Sequence, residues 1–230
     1  MALNPASFKT YDIRGVYPRD IDLDGAFRIG NAFVRFIAKR RRVSRPVIVV
    51  GRDVRASSDT LRRSLIEGII AAGGDARDLS ITTSPELIFS VMTIKGADGG
   101  VMVTASHNPS EYNGFKLTMP GHVSIGMNEG MESIKKMALG NPVRKKRLGN
   151  VTLVHQKEET HYLKALQKLV PEISGVRAVI DAAGGSAAFL LPKLLSEYSF
   201  FYKPIFFDPD PTFSRHTPNP LLPEVDLLMG

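Results

Sequence analysis

The feature that narrows the choice of fold most is an alternation between two hydrophobic periods. Ala26, Ile29, Phe33, Phe36 and Ile37 recur at helical spacing, and the β-branched run Val47-Ile48-Val49-Val50 follows, ending at Gly51. Leu61, Leu65, Ile69 and Ile70 then share one side of a second amphipathic helix. Ser57, Ser58 and Asp59 offer cap chemistry at its start, and Gly73-Gly74 stops it. A weaker strand at 78–82 leads to a helix opening near Pro85, with Leu87, Ile88, Val91 and Met92 behind it. Gly100-Val101-Met102-Val103-Thr104 reads as a buried strand. Strands separated by helices need crossover connections, so the expectation is an α/β fold: a mixed, mostly parallel sheet with helices on both faces. In such sheets ligands bind beyond the carboxyl ends of the strands. The loop after Val103 is therefore where chemistry is sought.

The pattern breaks between Gly140 and Val151, where Asn141-Pro142, a basic run and Gly149-Asn150 interrupt it. It then begins again: helix at 158–170, strand at 177–180, helix at 187–198, and a strand at 200–207 that Pro204 weakens. A proline-rich extended stretch from 208 to 223 follows, and 224–229 resembles the opening of another element. Two domains are expected, residues 1–145 and an incomplete second domain at 146–230.

Composition removes several classes of function. With 43% hydrophobic residues over 230 positions the chain can bury a real core, and with no Cys it has no disulfide framework, thiolate metal site or cysteine nucleophile. No apolar stretch approaches the roughly 20 residues a bilayer helix needs, and residues 1–10 lack a secretion signal's basic and apolar parts. A soluble cytoplasmic protein without membrane partners is expected. The net charge of +7 favours anionic ligands, phosphorylated metabolites among them. Much of the excess lies in Lys39-Arg40-Arg41-Arg42 with Arg45, and in Arg144-Lys145-Lys146-Arg147. Both read as solvated, the first as a helix end where cations complement the dipole. Neither carries interleaved aromatics, so nucleic acid is not expected as a partner.

The most informative stretch is Thr104-Ala105-Ser106-His107-Asn108-Pro109, followed by Asn113-Gly114-Phe115-Lys116. It places a hydroxyl, an imidazole, an amide and an ammonium beyond one strand. Ser106 can serve as a nucleophile if charge beside it is accepted or screened. His107 and Lys116 can bind an anion or move protons, and Asn108 can fix the loop or orient a phosphate. Gly114 suggests a turn that returns Lys116 toward Ser106. The same Ser and Asn also suit an ordinary polar loop that bonds its own backbone. A hydrolase elbow is disfavoured, because the positions two residues either side of Ser106 hold Thr104 and Asn108 rather than glycine.

This loop, with its Asn-Gly-Phe-Lys, resembles the active-site serine loop of the α-D-phosphohexomutases, in the phosphomannomutase/phosphoglucomutase branch. Other segments agree in order: Lys9-Thr10-Tyr11-Asp12-Ile13-Arg14-Gly15, Val50-Gly51-Arg52-Asp53-Val54-Arg55 with Ser57-Ser58, and Thr83 to Glu86. Asp181-Ala182-Ala183-Gly184-Gly185-Ser186 matches more loosely, and His216-Thr217-Pro218-Asn219-Pro220 matches the proline-rich segment after it.

The resemblance implies that Ser106 is a phosphoserine donating to a hexose phosphate, mannose or glucose 6-phosphate and 1-phosphate, through a sugar bisphosphate. A hexose bisphosphate would be the activator. The serine phosphate would be one ligand of Mg2+. His107 and Lys116 would handle protons and charge, Arg14 would grip a phosphate, and Tyr11, Asn108 and Lys116 would line the substrate cleft. Arg14 has a second use open to it, an ion pair with Asp12 or Asp53, and Tyr11 can be a packing residue with a wet hydroxyl. The Arg52-Asp53-Val54-Arg55 cluster is assigned to structure, holding the turn beneath the serine loop, and His216 to a loop rather than a ligand set.

The family's aspartate-rich metal loop, Asp-Gly-Asp-Gly-Asp, does not occur in these 230 residues. The sugar-selecting loop and C-terminal phosphate-binding domain are likewise expected elsewhere, so the favoured partners are hexose phosphates and the missing C-terminal domains of the same enzyme. The chain alone is expected to be inactive. A phosphosugar-binding module without turnover is the alternative. The Tyr-Asp-Ile-Arg opening and the Asn-Gly-Phe-Lys wording lean away from a phosphoglucosamine mutase.

Overall fold

The computed structural model describes residues 3–121, 123–170, 172–215 and 217–222. The expected features at His216 and at 224–229 lie outside the described residues. Strand β1 (Ile13–Val16) precedes helix α1 (Leu23–Arg41), which Asp22 caps by accepting from the Gly25 N–H at 2.8 Å. Three cations, Lys39, Arg40 and Arg41, occupy its last turn, where the helix dipole favours positive charge.

Strand β2 (Val47–Arg52) continues through Gly51 rather than ending there, and helix α2 (Ser58–Ala71) follows. The expected serine cap of α2 is not made. Ser57 has helical dihedrals and no capping bond, because the Ser57 and Ser58 hydroxyls both accept from the Asn113 side-chain amide, at 2.8 and 2.9 Å. Strand β3 (Asp75–Ile81) starts earlier than its weak pattern suggests, since Asp75 at its head is gripped by the Arg45 fork at 2.7 and 2.8 Å. Helix α3 (Ser84–Thr93) has Pro85 in its first turn and a capping box between Thr83 and Glu86. Then come β4 (Gly99–Val103), β5 (Tyr112–Met119), the short β6 (Val123–Ser124) and helix α4 (Glu132–Leu139).

The main sheet has the order β1-β5-β4-β2-β3-β7, with β6 beside β5 and β7 (Val151–Leu153) beside β3. β5 alone runs against the other strands, so the sheet is mixed and mostly parallel as expected. Alternation along β2 sorts its side chains to two layers. Ile48 and Val50 join Phe33, Ile37, Leu61, Leu65 and Ile134 in a core under α1, α2 and α4, whereas Val49 joins Leu79, Leu87 and Val91 under α3. Helices thus cover both faces.

The sheet reaches past residue 145, because β7 pairs with β3, and helix α5 (His155–Leu169) packs on α3. Beyond it, β8 (Arg177–Asp181) and β9 (Phe201–Ile205) make a two-stranded parallel sheet, with helix α6 (Ala187–Leu195) between them in sequence. Pro204 sits in β9 opposite Ile180. No helix among the described residues is long and apolar enough to cross a membrane.

Candidate active site

β4 delivers the chain to Ser106, which is exposed and held at φ 58°, a left-handed conformation costing a residue with a Cβ about 1–3 kcal/mol. It persists because both of its backbone groups are bound. The Ser106 N–H donates to Thr104 Oγ1 at 2.9 Å, and its carbonyl accepts from Arg55 Nη2 at 3.0 Å.

Arg55 is the centre of this support. Its side chain is 0% exposed, and its guanidinium donates to the carbonyls of Ser106, Asn108 (2.6 Å), Pro109 (2.6 Å) and Tyr112 (3.2 Å). The remaining N–H, on Nε, meets Asp53 Oδ2 at 3.1 Å. The full donor set of an arginine is therefore used. Asp53 in turn accepts from Thr104 Oγ1 at 2.6 Å, Ser58 Oγ at 2.5 Å and the Arg55 backbone N–H at 3.0 Å. Burial lowers the Arg55 pKa below the ordinary arginine value, and the adjacent Asp53 carboxylate works in the opposite direction. The turn after β2 is thus the floor of the serine loop, as its assignment to structure anticipates.

Lys116 reaches the serine hydroxyl, its Nζ donating to Ser106 Oγ at 3.4 Å. It does so from a strand and not from a turn. Gly114 lies inside β5 opposite Arg14, where a Cβ would stand 2.0 Å from the Ile13 carbonyl oxygen. The glycine is required by the close approach of β1. Antiparallel pairing of Met102 with Lys116 then sets the ammonium beside the end of β4.

The same β1 pairing carries Arg14 to the loop. Arg14 Nη1 donates to Asn108 Oδ1 at 2.9 Å while Nη2 pairs with Asp12 at 2.5 Å, so the ion pair and the loop contact coexist. Asp53 is not its partner. Ser106, Asn108, Arg14 and Lys116 thus converge. His107 is exposed on the same loop and Tyr11 is 70% exposed beside Gly126; among the described residues neither is hydrogen-bonded to the other four.

Ser106 faces a cleft of about 270 Å3 whose near wall is Asp53, Thr83 and Thr104 and whose far wall is Gly185, Ser186 and Phe213. The loosely matching glycine turn before α6 therefore stands across from the serine loop. Among the described residues no group of three or more His, Asp or Glu could hold a metal ion. The carboxylate under the loop, Asp53, has both oxygens engaged by donors. Without further ligands these side chains do not fit a hard divalent cation. Two contributors escape a reading of the loop alone, Thr104 and Asn113. Neither role has a local signal in the sequence: Thr104 answers to the left-handed dihedral of Ser106, and Asn113 to two serine hydroxyls distant along the chain.

Comparison with known proteins bears on the fold and the family. The family model for phosphoglucomutase/phosphomannomutase, alpha/beta/alpha domain I, matches residues 5–141. A phosphomannomutase from Escherichia coli is 32% identical over 228 residues, covering 94% of this chain and 48% of that protein. A protein of Xanthomonas campestris named for phosphohexose mutases is 33% identical over 222 residues, covering 95% of this chain and 47% of its own length. The crystal structure of a phosphoglucomutase/phosphomannomutase family protein from Burkholderia thailandensis superposes with a TM-score of 0.82 at 28% identity, over 96% of this chain and 48% of that one. The chain spans about half the length of the curated relatives it matches. With a domain-I match over most of its main sheet and the same fold in a solved relative, the chain belongs to the phosphoglucomutase/phosphomannomutase family.

Proposed function

We propose that Ser106 carries a phosphoryl group to and from hexose phosphates, interconverting 6-phosphates and 1-phosphates of mannose or glucose through a sugar bisphosphate. The observation that carries this reading is an exposed serine hydroxyl on a left-handed residue, with an ammonium 3.4 Å away and an arginine on the neighbouring amide. Phosphoryl transfer asks a protein for placement and charge stabilisation rather than covalent ingenuity.

In the first half-reaction a sugar hydroxyl attacks the phosphorus on Ser106. The sugar O–P bond forms as the Oγ–P bond breaks. Lys116 gives a proton to Oγ and recovers one from the attacking hydroxyl, so it ends unchanged. The second half-reaction reverses these steps at the sugar's other phosphate. His107 is the second proton-handling group of the loop, Arg14 binds phosphate oxygens with its planar fork, and Tyr11 and Asn108 border the sugar. A hexose bisphosphate would load the serine initially. Magnesium, which would stabilise charge on the transferring group, would take the serine phosphate as one donor, its other ligands lying outside the described residues.

The test is covalent labelling. In the longer enzyme, incubation with hexose bisphosphate carrying a radioactive phosphoryl group should leave label on Ser106; Ser106→Ala should retain none, and His107→Ala some. Equal retention by Ser106→Ala and wild type would remove the nucleophile assignment. The 230-residue chain alone should show no mutase turnover with magnesium and bisphosphate, and robust turnover would show that its own side chains suffice.

A further inference from the structure

We infer that Arg55 and Thr104 are positioning residues, which hold Ser106 from opposite sides of its backbone and thereby aim its hydroxyl at Lys116. The inference deepens the reading of Ser106 as phosphoryl carrier and is tested apart from it. A left-handed serine is unstable on its own account, and neither its conformation nor its exposure follows from the loop's own sequence. Thr104 Oγ1 takes its N–H at 2.9 Å and Arg55 Nη2 its carbonyl at 3.0 Å. Asp53 joins the two supports, accepting from Thr104 Oγ1 at 2.6 Å and Arg55 Nε at 3.1 Å. Serine orientation thus depends on one buried carboxylate with two arms.

The shape of arginine matters here. Five donors in one plane serve four loop carbonyls and Asp53 together, whereas a lysine ammonium offers three donors at a single point. Charge alone therefore does not reproduce the arrangement. The Phe213 ring lies over the guanidinium, 5.0 Å from centroid to Cζ, so the face turned to the second sheet's loop is closed as well.

The chain contains no cysteine, so Ser106→Cys introduces its only thiol. A thiolate forms more readily beside an ammonium, and alkylation by iodoacetamide followed against pH reports its ionisation. S106C should alkylate at neutral pH faster than a free thiol, and S106C/K116M should lose that advantage. With Lys116 intact, S106C/R55K and S106C/T104V should each lose about tenfold in rate at neutral pH, their profiles moving toward free cysteine. Circular dichroism and a thermal melt establish which variants are folded. T104V is nearly isosteric and keeps the arginine, so it tests the inference even where R55K fails to fold.

A folded T104V or R55K background whose pH profile matches that of S106C overturns the inference. Should S106C itself behave as a free thiol and ignore K116M, the Ser106–Lys116 pairing is absent, and both this inference and the proposed function lose their footing. Normal pairing in S106C together with no phosphoryl labelling of the longer wild-type enzyme would instead count against the proposed function while leaving the positioning role in place.

Discussion

Val101 and Val179 both sit in the middle of strands in parallel pairings, β4 on β2 and β8 on β9, yet Val101 is 0% exposed and Val179 64%. β4 lies between neighbours on both sides and under helices on both faces. β8 and β9 form a sheet of two, with Phe201 at 61% exposure on the second strand. The difference bears on what each region can sustain. In the first, deep packing surrounds a buried Asp53–Arg55 pair, and that pair with Thr104 holds a strained, exposed serine. In the second, the chain holds a glycine turn and an exposed apolar face. The serine loop follows β4, a strand packed on both faces, and the facing turn comes from the exposed two-stranded sheet.

The sharpest way to break this contrast is to loosen the tight region at one atom. Gly114→Ala puts a methyl group on the Ile13 carbonyl, and should lower stability by about 3 kcal/mol while withdrawing Arg14 from Asn108. Urea unfolding measures the first effect. Unchanged stability would mean that β1 gives way freely.

A matched pair comes next. Val101→Ala should cost about 2 kcal/mol through lost burial and a residual cavity, and Val179→Ala less than about 0.5 kcal/mol. Equal losses would show the second sheet to be covered in solution.

A smaller effect than that of Val101 lies in α3, whose first turn borders the cleft. Burial pushes the Glu86 carboxyl above its ordinary range, and the nearby Glu159 pushes it the same way. A raised acid contributes stability that is complete below its unfolded value near 4.5 and declines as pH rises through the folded one. Glu86→Gln keeps the capping geometry and removes that decline, so it should gain about 1 kcal/mol at neutral pH and nothing at pH 4. Urea midpoints at the two pH values decide it; parallel curves for both proteins would place the slope elsewhere.

How far the residues alone disclose this molecule depends on whether their message is local. The helical period of Ala26 to Ile37 and the run Val47 to Val50 announce their elements because burial on one stripe or both faces writes itself into adjacent positions. Gly114 misleads for the opposite reason. Its lack of a side chain answers to the Ile13 carbonyl, which no local reading contains, and a glycine next to asparagine otherwise signals a turn. Ser57 and Ser58 mislead likewise, since their hydroxyls are claimed by Asn113 from another strand. Within the candidate site, Ser106, Asn108, Arg14 and Lys116 are legible through the family's wording. Thr104's part is not, because it depends on the dihedral of the residue it supports.

The order of the main sheet has a consequence for how the molecule is made. Ile13 finds its partner in Phe115, a hundred residues further along. On the ribosome β1 must wait for its ladder until β5 has emerged. Arg14 is translated 94 residues before the Asn108 that it bonds, so this contact is made late in the assembly of the sheet, whatever the speed at which its local helices form.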